Sequence, residues 1–369
     1  GTVWAVMNGE IYNYRELREQ LLSKGHRLTT RGDTEVLVHL YEDEGFEAFR
    51  RLQGMFAVAL WDQERRVAWL VRDRLGIKPL YYAIRQGEAS GGSSVVFSSE
   101  IPSLLEALPD WRLRPEGVAE YLMHLYVPGP STMIAGVHQL RPGEAMSISD
   151  GQVELVRYYC PDETLYHHDQ WTIKEASREV LHTFEETVKS HLVSDVPLGL
   201  FLSGGIDSAS LLAIMAKEHS GPVKTFSIGY EHPSDQSFSE LDSARLLANH
   251  FKTVHSETIL RPDAVTLIGK VVEGMGEPFA DSSAIPTYLV SEVARQTVTV
   301  ALSGIGGDEL FGGYPRYLGL RTAAQYQRIP RVLRERMAQW SSRLGEHGNA
   351  RDHAARLKRF LGDGHLPLP

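Results

Sequence analysis

A short segment of the chain, residues 203–208, carries residue types suited to holding an anion. It reads SGGIDS and follows an apolar run at 198–202 that is typical of a buried strand. Its glycines let backbone N–H groups approach a ligand closely, and a helix starting there adds positive charge. Ser203 and Ser208 add hydroxyl donors, while Asp207 makes sense beside an anion only if it holds Mg²⁺ bound to that anion. We therefore predict a pyrophosphate-binding loop; the alternative is a tight turn with Asp207 as a helix cap.

A second glycine-rich segment lies at residues 303–314 and reads SGIGGDELFGGY, again after an apolar run, at 298–302. Five glycines in twelve residues indicate a backbone packed closely against something. The carboxyl ends of parallel strands open on one crevice, so Asp308 is expected to face Asp207 as a partner in holding one Mg²⁺. A solvated glycine-rich loop is the alternative.

A third candidate lies near the start of the chain, where Asn8 and Gly9 follow an apolar strand pattern. The Asn8 side-chain amide and the unobstructed Gly9 N–H are donors suited to an oxyanion hole. Glu10 and Asp33 are carboxylates that can hold an α-amino group. Read alone, Asn8-Gly9 is equally a turn and Asp33 equally a helix cap.

The element pattern predicts an α/β protein of two domains. Residues 1–158 mix helices with strands that pair in hairpins, one of them closed by Asp150-Gly151. Asn13 and Glu16 have the spacing of a capping box. Residues 173–369 alternate buried-type strands with helices, which favours a doubly wound parallel sheet. The polar, aperiodic stretch between them places a linker at 159–172.

These residues together resemble the glutamine-hydrolysing asparagine synthetase family. Segments 203–208, 277–283 and 304–314 are similar to its synthetase domain, an N-type ATP pyrophosphatase. The resemblance implies that ATP and Mg²⁺ bind there and that a substrate carboxylate attacks the α-phosphate. In the family this attack gives an acyl-adenylate, from which ammonia displaces AMP. The residues implied to bind ATP are Leu202, Ser203, Gly204, Gly205, Asp207, Ser208, Ile228, Ser303 and Gly304, and those implied to bind metal are Asp207 and Asp308.

The first half resembles a class II glutamine amidotransferase domain, an N-terminal-nucleophile fold of two stacked sheets between helices. The similar segments are 8–14, 31–35, 54–57, 72–82 and 97–100. The resemblance implies that Asn8 and Gly9 form the oxyanion hole and that Asn8, Gly9, Glu10 and Asp33 bind glutamine.

The chain departs from the family pattern in two respects. Its single cysteine, Cys160, lies beside the predicted linker and not at the start, where the family has its nucleophile. We therefore expect the nucleophile and the last catalytic residues to lie outside this chain, as if it were cut at both ends, and the chain alone not to hydrolyse glutamine. Ile305 stands where the family often carries an acidic residue.

Composition narrows the function classes. With 38 Lys plus Arg against 47 Asp plus Glu, the net charge is -9, which counts against a nucleic-acid binder. One cysteine excludes an internal disulfide framework. Apolar runs fall far short of the ~20 residues of a membrane span. These features favour a cytoplasmic protein without membrane or nucleic-acid partners, for which a homodimer is the working hypothesis.

Three functions remain open on the sequence alone. The first is the ATP-dependent synthesis of asparagine from aspartate and glutamine, a carbon–nitrogen ligase reaction. The second is a tailoring ligase that amidates or cyclises another carboxylate, to which Ile305 points. The third is a noncatalytic homologue.

Overall fold

The computed structural model describes residues 1–86, 93–161, 171–230, 240–260, 264–342, 357–358 and 360–361 of the 369-residue chain. Most of the predicted linker, 162–170, lies outside these residues. The chain divides into two compact units: a first unit of Gly1–Val193 with Pro262–Tyr288, and a second of Ser194–Arg261 with Leu289–Pro369.

Strands occur throughout the described chain. They are β1 (Val3–Ile11), β2 (Gly54–Asp62), β3 (Val67–Arg72), β4 (Tyr81–Gln86), β5 (Ser93–Ser98), β6 (Val137–Gln139), β7 (Glu144–Ser149), β8 (Gln152–Arg157), β9 (Leu198–Phe201), β10 (Lys224–Tyr230), β11 (Val254–Leu260) and β12 (Val300–Leu302).

The helices are α1 (Tyr14–Ser23), α2 (Asp33–Glu44), α3 (Ala48–Arg51), α4 (Ile101–Glu106), α5 (Pro115–His124), α6 (Ile173–His191), α7 (Ile206–Glu218), α8 (Leu241–Phe251), α9 (Ala264–Met275), α10 (Ala284–Arg295), α11 (Gly307–Phe311), α12 (Pro315–Tyr326) and α13 (Arg331–Ser341). Among the described residues, none of these helices combines the length and apolar character needed to cross a membrane.

The first unit contains two antiparallel sheets. One has the strand order β1-β2-β3-β7-β8 and the other the order β5-β4-β6. The predicted hairpin between β7 and β8 is confirmed: Asp150 and Gly151 have φ of +48° and +74°, the left-handed conformations that a two-residue turn of this kind requires.

The two sheets are the inner layers of a four-layer αββα arrangement. On one face of the five-stranded sheet, side chains such as Phe56 and Val58 pack against Leu17 of α1 and Leu37 of α2. The alternating residues of the same strands form a second core with residues of the three-stranded sheet. A third core lies between that sheet and α4. The predicted fold of stacked sheets between helices is thus confirmed.

The second unit is built on a four-stranded sheet with the order β11-β10-β9-β12. Its strands run parallel, as the alternation of buried strands and helices predicted. Sequence reasoning did not find β11, because its residues, VHSETIL, form neither an apolar run nor a regular alternation of polar and apolar residues. In this order β9 is an inner strand flanked by β10 and β12, so the ends of all three strands lie along one edge.

Candidate active site

The predicted anion loop lies at the carboxyl end of β9 and leads directly into α7. Leu202 is 2% exposed, and its N–H donates to the Phe226 carbonyl at 2.9 Å, which anchors the start of the loop to β10. Gly205 is the N-cap residue of α7. The loop amides therefore stand at the positive end of a 13-residue helix.

The two loop serines have different surroundings. The Ser208 side chain is buried, at 3% exposure; its Oγ accepts the Ser203 N–H at 3.2 Å and donates to the Ser203 carbonyl at 3.1 Å. Ser203 itself is exposed, and its Oγ accepts the Gly205 N–H at 3.1 Å. Ser208 thus stabilises the loop from its buried side, whereas Ser203 lies at the surface.

One loop amide already has an anionic partner. The Gly204 N–H donates to Oε2 of Glu240, the N-cap residue of α8, at 3.1 Å. Gly204 must be glycine here, since a Cβ would lie 2.4 Å from Cβ of Ser243. Sequence reasoning missed Glu240, because nothing local marks an acidic residue 36 positions away as a partner of the loop.

The second glycine-rich segment follows β12 and packs onto the first turn of α7. A Cβ at Gly304 would lie 3.0 Å from Cβ of Asp207, and one at Gly307 would lie 2.5 Å from the Asp207 carboxyl carbon. The prediction that these glycines permit a close backbone approach is confirmed, and what they approach is Asp207. Ser303 and Gly304 therefore lie beside the anion loop, and Ile228 lies near the end of neighbouring β10.

Asp308 lies one residue beyond Gly307, in the first turn of α11. A Cβ at Gly313 would lie 1.9 Å from Oδ1 of Asp308, so this carboxylate too has a glycine beside it. Both Asp207 and Asp308 are half-buried.

The donor set at this edge suits Mg²⁺. The two carboxylates offer oxygen ligands only, on two segments in contact with each other, and the absence of a side chain at Gly307 lets its backbone pack directly against the Asp207 carboxylate. Mg²⁺ in nucleotide sites is held by one or two carboxylates and by substrate phosphates. The residues present therefore fit a phosphate-bound Mg²⁺.

Two glutamates, one in the second glycine-rich segment and one in the segment 277–283, form hydrogen bonds with other residues. Glu309 accepts the Gly306 N–H at 3.0 Å and the Tyr314 hydroxyl at 2.5 Å, and the Tyr314 bond is the main cause of its lowered pKa. Glu277 belongs to the first unit, where it accepts the Met133 N–H at 2.9 Å and burial raises its pKa. Ile305, in contrast, is 81% exposed.

In the first unit, Asn8 and Gly9 lie in the second half of β1. Asn8 Nδ2 donates to Ser99 Oγ at 3.1 Å, a contact that orients the amide and leaves its second hydrogen available. Gly9 has φ of +145°, and a Cβ there would lie 2.0 Å from the Met55 carbonyl oxygen of β2. Both the conformation and the close approach require glycine.

Glu10 and Asp33 lie beside these two residues. Glu10 is exposed at the next position of β1, and Asp33 Oδ2 accepts the N–H of Ile11 at 3.0 Å. The predicted helix-cap role of Asp33 is wrong, because Gly32 is the N-cap and Asp33 the first residue of α2. The structure thus brings together the four residues predicted to bind glutamine.

The loop before Asp33 is held by Glu35. Its carboxylate accepts the N–H and hydroxyl groups of Thr29 and Thr30 at 2.6 to 2.7 Å. Partial burial acts to raise the pKa of Glu35, but these hydrogen bonds outweigh it and lower the pKa from 4.5 to about 2.

A pH-dependent contribution to stability follows from this shift. The folded pKa of Glu35 lies below its unfolded value, so its contribution is complete above pH 4.5 and is lost as pH falls toward 2. We expect Glu35→Gln to lower the free energy of unfolding by about 1 kcal/mol at neutral pH, allowing for solvent screening. Urea unfolding curves measured at several pH values should show this difference in the free energy of unfolding disappear as the pH falls toward 2. The exposed control Glu19→Gln should show no pH-dependent difference of this kind. A difference for Glu35→Gln that stays constant with pH would contradict the role of Glu35.

Asp73 organises the segment 72–82, although the sequence did not reveal how. Its side chain is fully buried and accepts four backbone N–H groups, from Phe56, Leu75, Ile77 and Lys78, at 3.0 to 3.2 Å. The neighbouring Arg72 guanidinium donates to two backbone carbonyls of this segment and to the carbonyl of Leu140. This pair ties the end of β3 to the start of β2, next to Gly9.

Sequence profiles of two families match the chain. One, described as asparagine synthase, matches residues 179–365, and the other, a glutamine amidotransferase domain, matches residues 1–159.

Individual sequences similar to this chain point to the same family as the profiles. Asparagine synthetase [glutamine-hydrolyzing] 1 of Bacillus subtilis (strain 168) is 38% identical over 369 residues, covering 100% of this chain and 55% of the relative. Asparagine synthetase [glutamine-hydrolyzing] 3 of the same organism is 34% identical, covering 85% of this chain and 52% of the relative. The chain spans about half the length of the curated relatives it matches.

A solved glutamine phosphoribosylpyrophosphate amidotransferase from B. subtilis is 14% identical over 77% of this chain and 74% of its own, with a TM-score of 0.33, a likeness too weak to support a conclusion. The profile match to half the chain, together with the glycine-rich loop at the end of β9, shows that the chain belongs to the asparagine synthase family.

Proposed function

We propose that the chain is part of an ATP-dependent, glutamine-hydrolysing asparagine synthetase, with ATP and Mg²⁺ bound in the second unit and glutamine in the first. The observation that carries the proposal is the contact of Gly304 and Gly307 with Asp207, since it joins the anion loop to the segment bearing Asp308. The ligands are residues 202–205, Asp207, Ser208, Ile228, Ser303 and Gly304 for ATP, and Asp207 and Asp308 for Mg²⁺.

The proposed reaction has two steps in the second unit. An aspartate side-chain oxygen attacks the α-phosphorus of ATP, and the bond from that phosphorus to pyrophosphate breaks, which leaves β-aspartyl-AMP. Ammonia then attacks the acyl carbon, and AMP leaves with the bridging oxygen. The loop amides and the N-terminus of α7 hold the phosphates, and bound Mg²⁺ would supply neutralisation of the charge that develops on pyrophosphate.

The first unit would supply ammonia by cleaving glutamine. In this proposal Asn8 Nδ2 and the Gly9 N–H donate to the oxyanion, and Glu10 and Asp33 hold the charged amino group. Cys160 is exposed after β8, apart from these residues in the sequence, and we assign it no part in the cleavage. A cytoplasmic location and a homodimer stay predictions.

Glu240 is expected to oppose ATP binding. Its carboxylate shares the Gly204 amide with the proposed phosphate position, so ATP must displace it or accept a nearby negative charge. Glu240→Gln should therefore lower the Kd for Mg-ATP by roughly threefold to tenfold, measured by calorimetry at low ionic strength.

Asp242→Asn is the matched control, since it removes the same charge from the first turn of α8, where Asp242 is 97% exposed and pairs with Arg245. Weaker ATP binding by Glu240→Gln than by this control would show that Glu240 instead holds the loop in its binding shape.

A second candidate function is the amidation or cyclisation of a different carboxylate, and Ile305 is the observation that favours it. An 81% exposed apolar side chain between Gly304 and Gly306 cannot accept a proton and would suit a larger, less polar acceptor.

The acceptor is identified by measuring AMP and pyrophosphate release by the complete protein with aspartate and a panel of other carboxylates. We expect aspartate to be the best substrate and Ile305→Glu to change adenylation with aspartate less than about threefold, like the control Leu310→Glu at another exposed apolar position. The second function would be established if the wild type turns over aspartate poorly and a larger acid efficiently. Turnover of the larger acid should then be lost in Ile305→Glu but kept in Leu310→Glu. No release with any acid would indicate a noncatalytic homologue.

A further inference from the structure

A cluster of two histidines and a glutamate lies in the first unit, on α2 and just after α1. His26 follows the end of α1, and His39 and Glu42 are one turn apart on α2. Nδ1 of His26 lies 3.4 Å from Nδ1 of His39, which lies 2.7 Å from Oε2 of Glu42. All three ligand atoms lie within 4.8 Å of one another. From this convergence we infer a binding site for one divalent transition-metal ion of the zinc type.

The spacing of the ligand atoms suits such an ion. With metal–nitrogen bonds of about 2.0 to 2.1 Å, two ligands at a tetrahedral angle lie roughly 3.4 Å apart, and two at a right angle roughly 2.9 Å apart. The two separations that involve His39, 3.4 and 2.7 Å, lie close to this range, and the third lies within 4.8 Å, so small side-chain adjustments are enough to bring the three ligands to one ion. Two imidazoles and one carboxylate favour zinc, cobalt or nickel over the oxygen-seeking Mg²⁺ and Ca²⁺.

A neighbouring carboxylate fixes the tautomer that metal binding needs. Nε2 of His26 lies 2.8 Å from Oδ1 of Asp43, and Lys24 Nζ donates to the other Asp43 oxygen at 2.9 Å. With its ring proton on Nε2 and directed at Asp43, His26 presents the Nδ1 lone pair to the cluster. Histidine ligands in metal sites are commonly oriented by such a carboxylate.

The elements that carry the ligands are held by the core. The His26 N–H donates to the Leu21 carbonyl at 3.1 Å, and Leu21 is buried. On α2, Leu40 is buried beside His39. The backbone positions of both histidines are therefore fixed by the packing of α1 and α2.

In the absence of an ion, hydrogen bonds account for the same geometry. The proton on Nδ1 of His39 can be donated to Glu42, while the same nitrogen lies 3.4 Å from Nδ1 of His26. Binding an ion then requires His39 to carry its ring proton on Nε2 instead, a tautomer change without net proton release. The side chains are 19%, 21% and 35% exposed for His26, His39 and Glu42, so a solvent ligand can complete the coordination.

Cobalt(II) is the probe of choice, because its visible absorption reports both binding and coordination geometry. Metal-free protein, prepared with a chelator, is titrated with Co²⁺ and then with Zn²⁺. We expect one equivalent of Co²⁺ to give an absorption band that Zn²⁺ abolishes. His26→Asn and His39→Gln should each weaken binding at least about tenfold, and Asp43→Asn by about tenfold to a hundredfold.

His182→Asn is the matched control, since His182 is exposed on α6, away from the cluster in sequence. Circular dichroism confirms that each variant folds, and the two conservative replacements keep hydrogen-bonding capacity at both positions. Zn²⁺ should also raise the Tm of the wild type and of His182→Asn but not that of the cluster variants. Unchanged cobalt spectra and affinities in both cluster variants, or no stoichiometric binding by the wild type, would overturn the inference.

Discussion

Replacing either aspartate of the second unit, in Asp207→Asn or Asp308→Asn, is expected to reduce ATP-dependent pyrophosphate release by at least about a hundredfold. An amide is a neutral and poorer ligand for Mg²⁺, so the charge on the departing pyrophosphate loses its counterion. The fold should survive, because asparagine has nearly the same volume and neither side chain lies in a core cluster of the described residues. Pyrophosphate release by the complete protein, with circular dichroism of each variant, measures both effects.

Asp195→Asn provides the matched control for these variants. Asp195 is exposed and precedes β9, so it lies toward the end of the strand opposite the anion loop. It should release pyrophosphate at the wild-type rate. Wild-type release by a folded Asp207→Asn or Asp308→Asn variant would remove that residue from the proposed metal site.

The second large effect is expected for Gly9→Ala, which should abolish glutamine hydrolysis and destabilise the first unit. The conformation at φ of +145° alone costs a residue with a side chain about 1 to 3 kcal/mol. The added Cβ would also lie 2.0 Å from the Met55 carbonyl oxygen, so β1 must move away from β2 and carry Asn8 with it. Urea unfolding and glutamate release by the complete protein measure these losses.

Gly25→Ala separates the effect of the strained backbone conformation from the effect of the clash with β2. Gly25 also has a positive φ, +96°, but a Cβ added there would have no heavy atom within 4 Å outside its immediate chain neighbours. This variant should show backbone strain alone, with glutamine hydrolysis retained. Amide formation from added ammonia should persist in Gly9→Ala if its second unit stays folded. Glutamine hydrolysis at the wild-type rate in Gly9→Ala would contradict the oxyanion role of Gly9.

Local sequence signals predicted the parts of the fold whose causes are local. The glycines of 203–208 and 304–307 indicate a close backbone approach because they lack a Cβ. Asp150-Gly151 indicates a two-residue turn because few other residues adopt its left-handed conformations at low cost. Likewise, buried strands alternating with helices favour a parallel sheet. These predictions needed no knowledge of distant contacts.

Contacts between distant residues were beyond the same reasoning. The Asn13–Glu16 capping box is wrong: Asn13 is the N-cap of α1, but its side chain bonds the Arg51 carbonyl and the Gln53 N–H, each at 3.0 Å. A tertiary partner has replaced the local one. The hydrogen bonds from Gly204 to Glu240 and from Asn8 to Ser99 are similar cases, since each joins residues far apart in the sequence.

The central claim is that the second unit activates a carboxylate by adenylation, and an isotope experiment tests it most directly. The complete protein is incubated with ATP, Mg²⁺, glutamine and aspartate labelled with ¹⁸O in its side-chain carboxylate, and the products are analysed by mass spectrometry. Attack of a carboxylate oxygen on the α-phosphorus, followed by displacement with ammonia, transfers one ¹⁸O atom to AMP. Label in inorganic phosphate with ADP as the second product, or amide formation without label in AMP, would contradict the claim.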